Sequence, residues 1–159
     1  MDPTADEVAG VVDLFGALGR EELGEALAEV AFKQGADDGP EDFGDAIDAA
    51  IEDYHLVRAP PEAVVGTDEE TLVVGPAAFP DPPAGAEDLP HIMDVSSRSV
   101  DREALAPVVE QRFRTDAAAA VDGTEARIAH LLDVSYELEV WGPVDLGDLR
   151  SRLDAARAN

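Results

Sequence analysis

The chain has 159 residues, with 36 Asp or Glu against 11 Lys or Arg, a formal charge of −25. That length fits one domain, or a small domain with a second appended, and a hydrophobic share of 45% excludes a wholly disordered acidic tail. Cysteine is absent, which excludes disulfides, thiolate nucleophiles and Cys-based zinc sites, and no run approaches the roughly 20 apolar residues of a membrane span.

Residues 6–18 place Val8, Val11, Val12, Phe15 and Leu18 at helical spacing, with Thr4 or Asp6 available as the cap. A second helix is predicted over 20–34, with Leu23, Leu27, Val30 and Ala31 on one face and Gly35 as its stop. Pro40 opens a third, over 41–54, whose apolar positions are Phe43, Ile47, Ile51 and Tyr54. Two short apolar runs follow, 55–58 and 71–74, separated by an acid-rich loop long enough for a wing. Three helices and then a hairpin is the order of a winged helix, so 4–79 is read as a winged-helix-like subdomain.

Five prolines between 75 and 100 forbid a regular helix through that stretch. Its residues Phe79, Leu89, Ile92, Met93 and Val95 nonetheless describe a segment packed on a surface, and 80–100 is read as a packed connector. A helical subdomain over 101–157 completes the chain, giving a mainly α (α+β) fold. Its strongest helix is 101–121, where Pro107 is the awkward residue. Ile128, Leu131 and Leu132 mark another over 124–133, but 134–141 also alternates with period two, so strand and continued helix compete there. Asp145 caps a terminal helix over 146–157 that buries Leu146, Leu149 and Leu153.

Chemistry is sparse. The serines 96, 97, 99, 135 and 151 lie in no GxSxG context, and no glycine-rich phosphate loop follows a strand, so no catalytic role is assigned. His91 near Asp88 and Asp94 has no recognised metal-ligand spacing, and neither a metal nor a cofactor is predicted. A DNA-reading winged helix needs cations on its third helix, yet 41–58 holds six acids and Arg58 alone. The one comparatively basic stretch, 98–114, offers Arg98, Arg102, Arg112 and Arg114 as possible phosphate or nucleic-acid contacts, with ion pairing to nearby acids as the plainer role. Trp141 and Tyr136, with Phe79, Ile92 and Met93, are the candidate interface residues, because aromatic side chains concentrate at binding hot spots.

Lys33 is the only lysine, and with the large acid excess this composition reads as that of an extreme halophile. In molar salt the Debye length is about 3 Å, so repulsion among surface carboxylates is nearly erased. The pieces DEVAGVVDLFGAL, AFKQG, YHLV, GPAAFP, EDLPHIMDV and LLDVSYELE resemble a family of small uncharacterised haloarchaeal proteins, over nearly the full length. The resemblance implies a haloarchaeal cytoplasmic origin and carries over no activity. The expectation is a non-catalytic protein-interaction or regulatory module of the cytoplasm, with a protein partner or self-association and no membrane. The alternative is a winged-helix DNA-binding transcriptional regulator, and a small-molecule enzyme ranks behind both.

Overall fold

The computed structural model describes residues 1–96 and 98–157. The chain is mainly helical with short strands and divides into two compact units, Met1–Asp101 and a second that begins at Arg102.

In the first unit, α1 (Ala5–Phe15) starts at a capping box: Thr4 Oγ1 accepts from the Glu7 N–H at 3.1 Å and Glu7 Oε1 from the Thr4 N–H at 2.9 Å. It stops three residues short of Leu18, because Gly16 takes a φ of 88° and turns the chain. Leu18 then bridges to Leu72 through both backbone groups. The second helix, α2 (Arg20–Lys33), ends in a Schellman motif at Gly35, with Ala36 N–H donating to Ala31 O at 2.8 Å. The third begins as a 3₁₀ turn, Pro40–Phe43, before α3 (Gly44–Glu52), and closes on Tyr54 at a φ of 66°. Phe43, Ile47, Ile51 and Tyr54 are all buried, as their spacing requires.

The expected strand pairing is present: β1 (Leu56–Ala59) runs antiparallel to β3 (Thr71–Val74), with Val57 opposite Val73. The intervening loop carries more structure than its composition announces. A 3₁₀ turn, Pro61–Ala63, leads into β2 (Val64–Val65), which pairs with β4 (Ser99–Val100). The short α4 (Leu89–Ile92) lies between β3 and β4 in the chain. Its Leu89, with Ala86, joins one core with Val8, Val12, Leu27 and Leu56.

In the second unit, α5 (Arg102–Ala120) buries Leu105, Val109, Phe113 and Ala117, one residue per turn. Pro107 sits inside it rather than near its start. Its missing N–H costs one bond, to the exposed Glu103, and the helix tolerates it. The competition over 134–141 resolves as helix: α6 (Glu125–Trp141) is continuous, capped by Thr124 Oγ1. Of the alternating residues, Val134 and Leu138 are buried while Tyr136 and Val140 are exposed, which is a period of four and not one strand face. The last helix, α7 (Gly147–Arg157), is entered through Asp145 Oδ1, which accepts from the Gly147 N–H at 3.1 Å.

Candidate interaction surfaces

The proline-rich segment is laid across α1, and glycine makes the approach possible. A Cβ at Gly10 would run into the backbone of Asp81 and Pro82, so only glycine admits that strand of chain. Asp6 then fastens it: its Oδ1 accepts from the Phe79 N–H and its backbone carbonyl from the Asp81 N–H, each at 3.0 Å. Further along, Lys33 Nζ donates to Gly85 O and Gln34 Nε2 to Ala84 O, also at 3.0 Å. With its backbone held, the Phe79 side chain stands 77% exposed.

Ile92 is exposed and Met93 half-buried, and together with Val95 they line a groove of about 380 Å³ against Glu22, Glu25 and Glu29 of α2. Phe79 is thus tied to the start of α1, and Ile92 and Met93 to α2. Two further exposed apolar residues of this unit, Phe32 and Val65, escape the sequence reading. Phe32 lies off the buried face of α2, and Val65 alternates outward from β2, so a residue-by-residue check for apolar side chains on the polar face is the signal that finds them.

The outward side of the third helix is carboxylate. Glu41, Asp42, Asp45, Asp48, Glu52 and Asp53 are all exposed, as are Glu62, Asp68, Glu69 and Glu70 of the following loop. The nearest cations serve this surface internally. Arg20 pairs with Asp48 at 2.7 Å, and Arg58 with Glu70 at 3.8 Å.

Arg98 belongs to the first unit, whereas Arg102, Arg112 and Arg114 stand on α5 in the second. Its side chain is only 10% exposed and clasps Glu22 through two bonds, at 2.6 and 3.0 Å, with a third to Ala17 O at 3.2 Å. That guanidinium holds the Glu22 carboxyl below the usual carboxylate range, helped by the Gly19 N–H. On α5, Arg112 pairs with Asp116 at 3.4 Å. Arg114 reaches Asp148 at 3.4 Å and Glu110 at 3.8 Å. The fourth, Arg102, lies 4.2 Å above the Trp141 ring and donates to the Trp141 carbonyl at 2.7 Å.

Trp141 is half-buried under that cation. Tyr136 is exposed, with the Arg150 guanidinium 4.4 Å over its ring. Arg150 also donates to Glu139 at 2.6 Å; this bond, with a second from the Leu146 N–H, holds the Glu139 carboxyl below its ordinary value. Tyr136 and Trp141 are five residues apart on α6, about 140° around the helix, so they do not form one patch. The neighbour of Tyr136 on its face is Val140, which is 90% exposed.

Among the described residues no three His, Asp or Glu side chains are grouped to hold a metal ion, and no helix is long and apolar enough to cross a membrane. The buried Ser135 Oγ donates to Leu132 O at 2.6 Å within α6, and Ser97 lies outside the described residues. No curated protein and no solved structure matches the chain. Residues 6–158 match the family of unknown function DUF7109, and the chain belongs to that family.

Proposed function

We propose that the chain is a non-catalytic interaction or regulatory module, whose first unit is a winged-helix-type scaffold used against protein. The topology supports the scaffold: three helices, a bridging residue at Leu18 between the first two, and β1 and β3 joined by a long loop. Leu72 gives both its N–H and its C=O to Leu18, so β3 runs between Leu18 and β1 as a small three-membered sheet.

The observation that carries the reading is the outer side of the third helix. In a helix-turn-helix protein this is the element that enters the major groove, where phosphate and base edges demand cations and amides. Here every exposed ionisable residue from Glu41 to Asp53 is an acid. Salt masks repulsion but creates no phosphate contact, which weighs against DNA on this face. The exposed apolar side chains Phe79, Ile92, Phe32 and Val65 are instead what a protein partner uses.

A haloarchaeal cytoplasm is the setting we infer, from the charge of −25 and the single lysine. The test is affinity capture of the full chain from its source cells at about 2 M KCl, where surface charge is screened, with and without nuclease. A protein retained after nuclease supports the reading. Recovery only of DNA fragments from discrete loci overturns it in favour of a DNA-binding regulator.

A further inference from the structure

We propose that the trough between α5 and α7 binds a small apolar acid, one carboxylate on a hydrocarbon body. This goes beyond the interaction reading and does not depend on it.

The chain has few cations, and almost all of them are spent on contacts of its own. Against 36 acids it has 11 Lys and Arg, and nearly all are committed inside their own unit. Arg20, Arg58, Arg98, Arg112, Arg114, Arg127, Arg150 and Arg157 each pair with a carboxylate. Lys33 holds a carbonyl, and Arg102 a carbonyl and a ring. Among the described residues Arg152 is the cation that makes none of these contacts. Arg152 is exposed, so water solvates its guanidinium and an anion can reach it.

Arg152 lines the trough, whose volume is about 370 Å³, near the lower end of the roughly 300–1,000 Å³ usual for small-molecule sites. Its lining is part apolar, from Ala117 and Ala118 of α5, Val121 just beyond it, and Leu149 and Leu153 of α7, and part charged, from Arg114, Asp122 and Arg152. The two alanines leave the space that a larger side chain would occupy. Arg114 sits at the same trough, but Asp148 and Glu110 already match its charge, and its bond to Asp145 O at 3.5 Å ties α5 to the entry of α7.

The lining also fixes the charge of the occupant. With Arg114 matched by Asp148 and Glu110, the lining leaves one guanidinium, Arg152, for an anion, beside Asp122. A phosphate dianion would meet Asp122 with no second uncommitted cation to offset it. A single carboxylate matches the Arg152 fork, and its apolar body matches the alanine and leucine walls.

The experiment is an amide-resolved NMR titration of the full chain at about 2 M KCl with octanoate and with its neutral isostere, octanamide. Octanoate should give saturable shifts confined to the amides of Ala118, Val121, Leu149 and Leu153. Octanamide should bind about tenfold more weakly, as should octanoate to Arg152→Gln, since each loses the charge-assisted bond. Ala118→Leu, at an exposed position that leaves the core intact, should fill the trough and abolish the shifts. The proposal is overturned if octanoate gives no saturable shift up to its solubility limit, if the shifts lie elsewhere, or if octanamide or Arg152→Gln binds as well.

Discussion

Replacing Gly10 with alanine sets two physical effects of opposite sign against each other. Gly10 sits in the middle of α1, where exchanging glycine for alanine stabilises a helix by about 0.8–1 kcal/mol. If 79–82 were loosely attached, that gain would be observed. In the structure the new Cβ meets the backbone of Asp81 and Pro82, atoms that cannot swing aside as a flexible side chain does. The segment must lift, and the Phe79 and Asp81 N–H groups lose their bonds to Asp6, worth about 0.5–1.5 kcal/mol each. Added to overpacking of about 1–3 kcal/mol, these losses exceed the helix gain, for a net destabilisation of about 1–5 kcal/mol. Gly44→Ala is the control. There the φ is −55° and the nearest atom outside its own helix is the Arg20 Nη2, 3.9 Å away, so the same exchange should stabilise by about 0.5–1 kcal/mol. Urea titrations of both variants, with hydrogen exchange at the Phe79 and Asp81 amides, read the difference. A Gly10→Ala variant as stable as Gly44→Ala, with unchanged exchange at those amides, refutes the packing of this segment on α1.

Phe43→Ala and Ile47→Ala should each destabilise the first unit by about 2–5 kcal/mol, because both side chains are fully enclosed; denaturant midpoints check this. Thermal midpoints should rise as KCl goes from about 0.1 M to above 1 M, since screening relieves repulsion among carboxylates, and a flat or falling series removes that explanation of the charge. Glu22 has a folded pKa below its ordinary value of 4.5, so the stability it contributes is complete above that value and is lost as pH falls through the lower, folded one. The advantage of wild type over Glu22→Gln should therefore shrink on acidification, and a difference that stays constant from neutral pH to the acid limit contradicts the assigned bond to Arg98.

What the sequence discloses and what it hides follow from the range of the interactions. Helices with apolar residues every third or fourth position were legible, because each buries one face whatever lies opposite: Phe43, Ile47 and Ile51 needed no knowledge of their neighbours. The single bridge at Leu18 and the two-residue pair β2 with β4 were not, since two residues carry no period and the partners of Leu18 and Val64 are 54 and 36 positions away (72 − 18 and 100 − 64). Over 134–141, alternation concealed a helix because an exposed Tyr136 and Val140 fell between buried Val134 and Leu138. The sequence also groups Arg98 with Arg102, Arg112 and Arg114 in one comparatively basic stretch. The helix begins only at Arg102, and Arg98, before it, is drawn to Glu22 on α2. Arg152 was invisible as a candidate, since its distinction lies in the contacts that the other cations make.

The disposal of charge bears directly on what a partner must be like. With most of its cations paired to its own carboxylates and carbonyls, the exposed ionised groups of the chain are mostly acids. Two kinds of partner fit such a surface, and salt separates them. A basic partner gripping the Asp and Glu of the third helix would lose affinity steeply as KCl rises, because exposed pairs are screened beyond a few ångströms. A partner seated on Phe79, Ile92 and Val65 would keep its affinity, since burying apolar area does not depend on screening. In molar salt the apolar residues are therefore the ones able to sustain a contact, and the screened carboxylates add little to it. Retention of a captured protein should accordingly be insensitive to KCl between about 1 and 3 M and should fall on Phe79→Ser, an exposed change that leaves the fold untouched. Retention lost with rising KCl and unaffected by Phe79→Ser would place the contact on the acidic helix instead.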